Sequence, residues 1–198
     1  MKKITRIVLG LLVIALLVSA CSSSKSDFYK IAEQVKESDE DFSNYKGIFA
    51  DYKGGNDVTE FKDSPEMQYQ SAEIPLIKIN DLYATVYISN AYDDIRPSNG
   101  INLDFYTKDN DMTLDELEET ILGLLKKDFP KIRFADVILD GEVHKFYLYN
   151  DEKDDFSASM HRYEDGDESK TDGYISVSLD KSSYNPDNDP EYSAETEE

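Results

Sequence analysis

The sequence predicts an α+β fold, a mainly antiparallel sheet of about seven strands with two short N-terminal helices and one central amphipathic helix packed on it. Three observations predict it. Short segments of alternating apolar and polar residues recur from Ile74 onward, separated by turn pairs such as Asn80-Asp81 and Asp140-Gly141. Apolar residues at helical spacing occupy only the stretches Phe28–Tyr52 and Leu114–Phe129. The second of these stretches divides the strands into two sets, so most neighbours in sequence are joined by hairpins, which forces antiparallel pairing.

The chain opens with Lys2, Lys3 and Arg6, without an acid, followed by an apolar run from Ile7. This is the pattern of an export signal. Ile7 to Ala20 is only 14 residues, against about 20 for a spanning helix, with no basic cluster directly behind it. Residues 1–20 are therefore read as a cleaved signal peptide.

Val18, Ser19, Ala20 and Cys21 place two small residues before the single cysteine of the chain. This stretch resembles the lipobox of bacterial lipoprotein precursors. The resemblance covers Met1–Ser26 and implies cleavage between Ala20 and Cys21, with diacylglycerol on the Cys21 sulfur. Two acyl chains give stable anchoring where one gives only marginal binding. With no second cysteine, the exported domain has no internal disulfide and depends on its core.

Residues 21–27 read as a lipidated N-terminus and tether, 28–182 as one acidic domain, and 183–198 as a disordered acidic tail. Loss of Lys2, Lys3 and Arg6 takes the formal charge from −21 to −24. Such a field opposes nucleic acid and anionic headgroups and attracts cationic peptides.

Phe28, Ile31, Ala32 and Val35 line one face of a first helix. Phe42, Tyr45, Phe49 and Tyr52 line a second, started by Ser38 and Asp41 and ended by Gly54-Gly55. Asn56–Gln70 shows no period and is expected to cross to the sheet. Ile74–Ile79 and Leu82–Ser89 flank Asn80-Asp81, which suits a type I′ turn and pairs Ile79 with Leu82, Ile77 with Ala84 and Pro75 with Val86. A long loop, Asn90–Gly100, carries Tyr92 and Arg96 before the strand Ile101–Tyr106.

Thr113 and Glu116 have capping-box spacing. Leu114, Leu117, Ile121, Leu124, Leu125 and Phe129 follow on one helical face, acids come early and lysines late, and Pro130 ends the helix. Strands Ile132–Leu139, Glu142–Asn150, Phe156–Tyr163 and Tyr174–Leu179 complete the sheet. The helix-then-meander repetition resembles cystatin-like modules in element order, which implies nothing about activity.

Candidate chemistry is sparse. His144 and His161 fall on neighbouring strands. The register that groups Phe146 with Met160 and Leu148 with Ala158 buries most, and sets His161 opposite Lys145. No zinc ligand set or serine-nucleophile elbow surrounds either histidine, so no catalytic or metal residue is assigned. Asp109–Glu119 fails as an EF-hand because Phe105 would fall at the first ligand position and Asn110 at the obligatory glycine. Asp165, Asp167, Glu168 and Asp172, clustered around Gly166, form a weak calcium candidate. The only other non-protein group expected is the diacylglycerol on Cys21.

These features lead to the expectation of a lipid-anchored protein on the extracytoplasmic face of the cell membrane. Its acidic domain would bind a cationic peptide or protein, as in immunity, through contacts that include Tyr92, Arg96, Tyr147 and Tyr149. The alternative is an envelope hydrolase, or its accessory, using His144 or His161 as acid or base.

Overall fold

The computed structural model describes residues 25–38, 45–55, 62–65, 69–92, 98–139, 142–151, 153, 155–164 and 173–182. The elements are α1 (Asp27–Glu37), α2 (Tyr45–Ile48), β1 (Lys62–Ser64), β2 (Tyr69–Ile79), β3 (Leu82–Ala91), β4 (Ser98–Tyr106), α3 (Thr107–Asn110), α4 (Leu114–Asp128), β5 (Arg133–Leu139), β6 (Glu142–Asp151), β7 (Phe156–Glu164) and β8 (Gly173–Ser182). One antiparallel sheet runs in the order β1-β2-β3-β4-β8-β7-β6-β5. Two four-stranded meanders, each following helical structure, thus meet along β4 and β8, and the fold is α+β with sheet dominant.

The helices cover one face. Phe28, Ile31, Ala32 and Val35 of α1 and Leu114, Leu117, Ile121 and Leu125 of α4 are buried against Ile101, Leu103 and Phe105 of β4 and Ile175, Val177 and Leu179 of β8. Phe28 meets Phe105 edge to face at 5.9 Å. Ser26 caps α1 through the Phe28 amide, and its hydroxyl also donates to Asp128. Asp27 and Asn80 exchange two hydrogen bonds, at 2.7 and 2.8 Å, which ties the helix start to the β2–β3 turn. With its cap, α1 thus starts at Ser26, just ahead of its first buried apolar residue, Phe28.

Lys181 of β8 donates to the carbonyls of Lys36 and Ser38 at 2.9 and 2.8 Å, placing a cation on the negative end of α1. Arg162 of β7 donates to Asp115 and Glu118 at 2.6 and 2.7 Å, fixing the first turn of α4 to the sheet. The capping box of Thr113 and Glu116 forms as the spacing predicts.

Several expectations need correction. Asn80 and Asp81 take positive φ values of 49° and 68°, the expected I′ turn, and Ile79 faces Leu82 and Ile77 faces Ala84. Beyond them a bulge intervenes, so Val86 pairs with Ile74 and not with Pro75. Pro75 has no N–H for the ladder, and placing it with exposed Leu76 in the bulge returns Ile74 to the core face.

Asn56–Gln70 is more than a crossing, since β1 pairs with the first residues of β2. The Asn90–Gly100 loop is shorter than expected because its ends extend β3 and β4. Asn90 pairs with Asn99, both are buried, and their side chains are joined by a 2.6 Å hydrogen bond that supports polar residues on the core face. Ser38 closes α1, its hydroxyl donating to the Val35 carbonyl at 2.6 Å, while its expected capping partner Asp41 lies outside the described residues; α2 spans Tyr45–Ile48 before turns lead to Gly54-Gly55.

Candidate binding face

The β6–β7 register decides where the tyrosines and His161 point. Phe146 pairs with His161, Tyr147 with Met160, Leu148 with Ser159 and Tyr149 with Ala158. This differs by one residue from the expected register, so His161 faces Phe146 and not Lys145. The core partners of Ala158 and Met160 are Tyr149 and Tyr147, in place of Leu148 and Phe146. Helix α4 supplies the reason, because its end offers aromatic and amphipathic neighbours. The Phe129 ring lies 5.2 Å from Tyr149, and the Lys126 ammonium lies 5.8 Å from the Tyr147 ring. Tyr149 keeps its hydroxyl satisfied by donating to Asp151 at 3.1 Å. A tyrosine pair that buries its rings and keeps its polar ends at the rim suits this position better than leucine or phenylalanine. Tyr147 and Tyr149 are accordingly half-buried on the helical side.

The other face of the sheet carries no helix among the described residues. Alternation sends Tyr87 of β3, Asn102, Asp104 and Tyr106 of β4, Tyr174, Ser176, Ser178 and Asp180 of β8, and Ser159, His161 and Tyr163 of β7 to this side. Two adjacent cross-strand rows matter. One contains Tyr163, Tyr174 and Tyr106, and the next contains Phe146, His161, Ser176 and Asp104. The rings form a ladder: Tyr106 to Tyr174 at 5.0 Å, Tyr174 to Tyr163 at 4.5 Å, Tyr163 to His161 at 4.0 Å and His161 to Phe146 at 4.2 Å.

Local sequence holds the ladder in place. Asn110 accepts from the Tyr83 amide at 2.7 Å and donates to the carbonyls of Tyr83 and Tyr106 at 2.9 Å each, clamping β3 to the end of β4. Thr107 donates to the Gly173 carbonyl at 3.2 Å, which sets β8 beside β4. Gly173 is required there, because a Cβ would lie 2.3 Å from the Tyr163 carbonyl oxygen and push β7 and β8 apart.

Asp104 is the charged centre of this face. Its carboxylate accepts from Ser176 at 2.7 Å, and burial pushes its acid up although that hydrogen bond opposes the shift. Tyr87 lies in the row to one side of it and Tyr106 in the row to the other. Burial, joined in each case by the Asp104 charge, raises the phenols of Tyr87, Tyr106, Tyr163 and Tyr174, the last to about 12. These four phenols are therefore neutral at neutral pH, in the rows beside a half-buried acid.

Tyr92 is exposed just beyond β3. Arg96, the pair Ala20 and Cys21, and Asp165, Asp167, Glu168 and Asp172 lie outside the described residues. His144 pairs with Val137 and His161 with Phe146, so the two histidines are not directly opposite. Among the described residues, no group of three or more histidine, cysteine or acidic side chains is placed to hold a metal ion. Sequence reasoning passed over Tyr87, Tyr106, Tyr163, Tyr174 and Asp104 as a group. Their outward phase is visible in the alternation, but their alignment depends on the long-range β4–β8 pairing.

Comparison of the chain with protein-family models, curated proteins and solved structures found no match.

Proposed function

We propose that this chain is a lipid-anchored envelope protein, held on the extracytoplasmic side of the membrane by diacylglycerol on Cys21, whose open sheet face binds a cationic peptide or protein. The observation that carries the reading is the sheet face, free of helix among the described residues, on which four tyrosines stand in the rows beside Asp104 in a chain of net charge −21. Carboxylates and amphipathic aromatics on an open surface suit a basic partner, and the surrounding negative field steers such a partner toward it.

Two measurements test the two halves. Fatty-acid labelling should mark the wild-type chain and not Cys21→Ser; an unlabelled wild-type chain refutes the anchor. Full-length protein in neutral detergent micelles should bind basic peptides with an affinity that falls as salt rises, and a panel of basic peptides without binding refutes the partner class.

A hydrolase using His161 is the second reading, favoured by the row that brings His161, Ser176 and Asp104 together. In this structure the Ser176 hydroxyl donates to Asp104. A histidine-activated serine would instead donate to the imidazole. His161→Ala should therefore leave function intact in a folded variant, and its loss would revive the hydrolase.

A further inference from the structure

One cleft of the molecule gathers charge of the opposite sign to the whole. It measures about 720 Å³ and opens at the pole where α1 begins, β2 turns into β3 and α4 ends. Lys25, Lys30, Lys53, Lys78 and Lys127 line it, against Asp27, Asp51 and Asp81. In a chain of net charge −21, this surface carries a local balance of +2.

Two of the three acids are already engaged. Asp27 accepts from the Asn80 amide and from Lys30, at 2.8 Å each, and Asp81 pairs with Lys78 at 3.2 Å. Lys53 makes no ion pair among the described residues, and the Lys25 ammonium lies 3.4 Å from the centroid of the Tyr29 ring. Lys25, Lys30, Lys53 and Lys127 are all exposed around the cleft.

The cleft is also close to the anchoring residue. Lys25 stands in its wall four residues after Cys21. Since a chain extends at most about 3.6 Å per residue, lipid on Cys21 would hold this wall within roughly 15 Å of the anchored position. Acidic groups farther from the bilayer than the Debye length, about 8 Å in physiological salt, are screened from it, whereas lysines at the contact act on it directly. The acidity of the whole domain therefore opposes docking through its other surfaces and leaves this pole as the one that can approach anionic lipid.

We infer that this lysine-rimmed cleft is the membrane-facing end of the domain and takes the phosphodiester headgroups of anionic lipids, so that the chain stands on the bilayer in one orientation. The inference rests on the reading that Cys21 carries diacylglycerol, and it adds an electrostatic contact to the covalent one. Tethering raises the effective concentration of headgroups at the cleft, so a few weak charge contacts suffice to orient the domain.

The test uses the full-length lipidated chain in vesicles of phosphatidylcholine alone or with about one-third phosphatidylglycerol. Gly47→Cys, in α2 at the cleft, where a Cβ meets nothing within 4 Å, carries a fluorophore that shallow spin-labelled lipids quench on contact. Lys153→Cys labels the opposite pole, in the turn after β6, whose last residue Asp151 pairs with Lys36 at the end of α1. With Cys21 acylated, each introduced thiol is the only free one. The Gly47→Cys label should be quenched more in anionic than in neutral vesicles, more than the Lys153→Cys label, and less as salt rises. Lys25→Gln and Lys53→Gln should each lower the docked-to-undocked ratio about fivefold, which corresponds to roughly 1 kcal/mol per lysine at an anionic surface. Asp81→Asn, at a side chain 95% exposed, should raise the ratio by a similar factor, an opposite sign that a merely structural role would not give.

Equal quenching of the Gly47→Cys label in the two kinds of vesicle overturns the inference and leaves the anchor standing. Unchanged docking in all three charge variants does the same. Loss of the extra quenching when inorganic phosphate replaces chloride at matched ionic strength overturns the bilayer as occupant and makes the ligand a free anion. Recovery of the wild-type chain with a free, dye-reactive Cys21 refutes the anchor and the inference together. Asp81→Asn supplies the decisive sign if a lysine variant proves unstable.

Discussion

Asp180→Asn should stabilise the protein at neutral pH. Asp180 lies on the open face of β8, in a row with Ser157 of β7, Gly100 of β4 and Ser89 of β3, so no cation faces it across either neighbouring strand. Its carboxylate rests against the β4 backbone, since a Cβ on Gly100 would lie 2.4 Å from Asp180 Oδ1. Burial raises the acid from 3.8 to about 6. A rise of this size corresponds to about 3 kcal/mol between the two protonation states.

The sign follows from proton binding. Between pH 3.8 and about 6 the folded chain keeps a proton on Asp180 that the unfolded chain has released. The contribution of this group to stability is therefore greatest below the lower value and falls as pH rises through the window. The neutral amide does not titrate. Urea unfolding followed by circular dichroism at intervals from pH 4 to pH 7 should show Asp180→Asn gaining on wild type as pH rises, by up to about 3 kcal/mol at pH 7. A difference that stays constant over this range would refute the account of a buried, uncompensated carboxylate.

Three further outcomes follow from the packing. Thr113→Ala removes the capping box of α4 and should cost about 1 kcal/mol in urea unfolding, with an unchanged m value. Leu76→Gly should raise the melting temperature, because Leu76 is exposed and holds φ at 55°, where a side chain costs roughly 1 kcal/mol. Phe105→Ala empties the contact with Phe28 in the buried core and should cost about 3–5 kcal/mol, measured by the same unfolding assay.

Local signals in the sequence specify much of this molecule. The Asn80-Asp81 pair sets its turn, and Thr113 with Glu116 sets the start of α4, because the chemistry of each is completed within four residues. The alternation of Ile101, Leu103 and Phe105 identifies the core face of β4 for the same reason. The sequence is less informative where distant elements compete. In β6 both phases carry apolar or aromatic residues, so Tyr147 and Tyr149 replace Phe146 and Leu148 on the core side once α4 is in place. The Pro75 bulge arises from a missing donor within an otherwise regular strand. The tyrosine ladder depends on β4 meeting β8, which pairs Tyr106 with Tyr174 across 68 positions of chain, and no local pattern encodes that distance.

That central seam has a consequence for biogenesis. While the chain is synthesised from its N-terminus, the first meander emerges with the free edge of β4 uncovered until the last strand arrives. An intermediate of this kind displays a sticky, unpaired ribbon, and premature termination anywhere before Gly173 would make that state permanent. Quality control should therefore act most strongly on nascent chains that have lost their C-terminal strand.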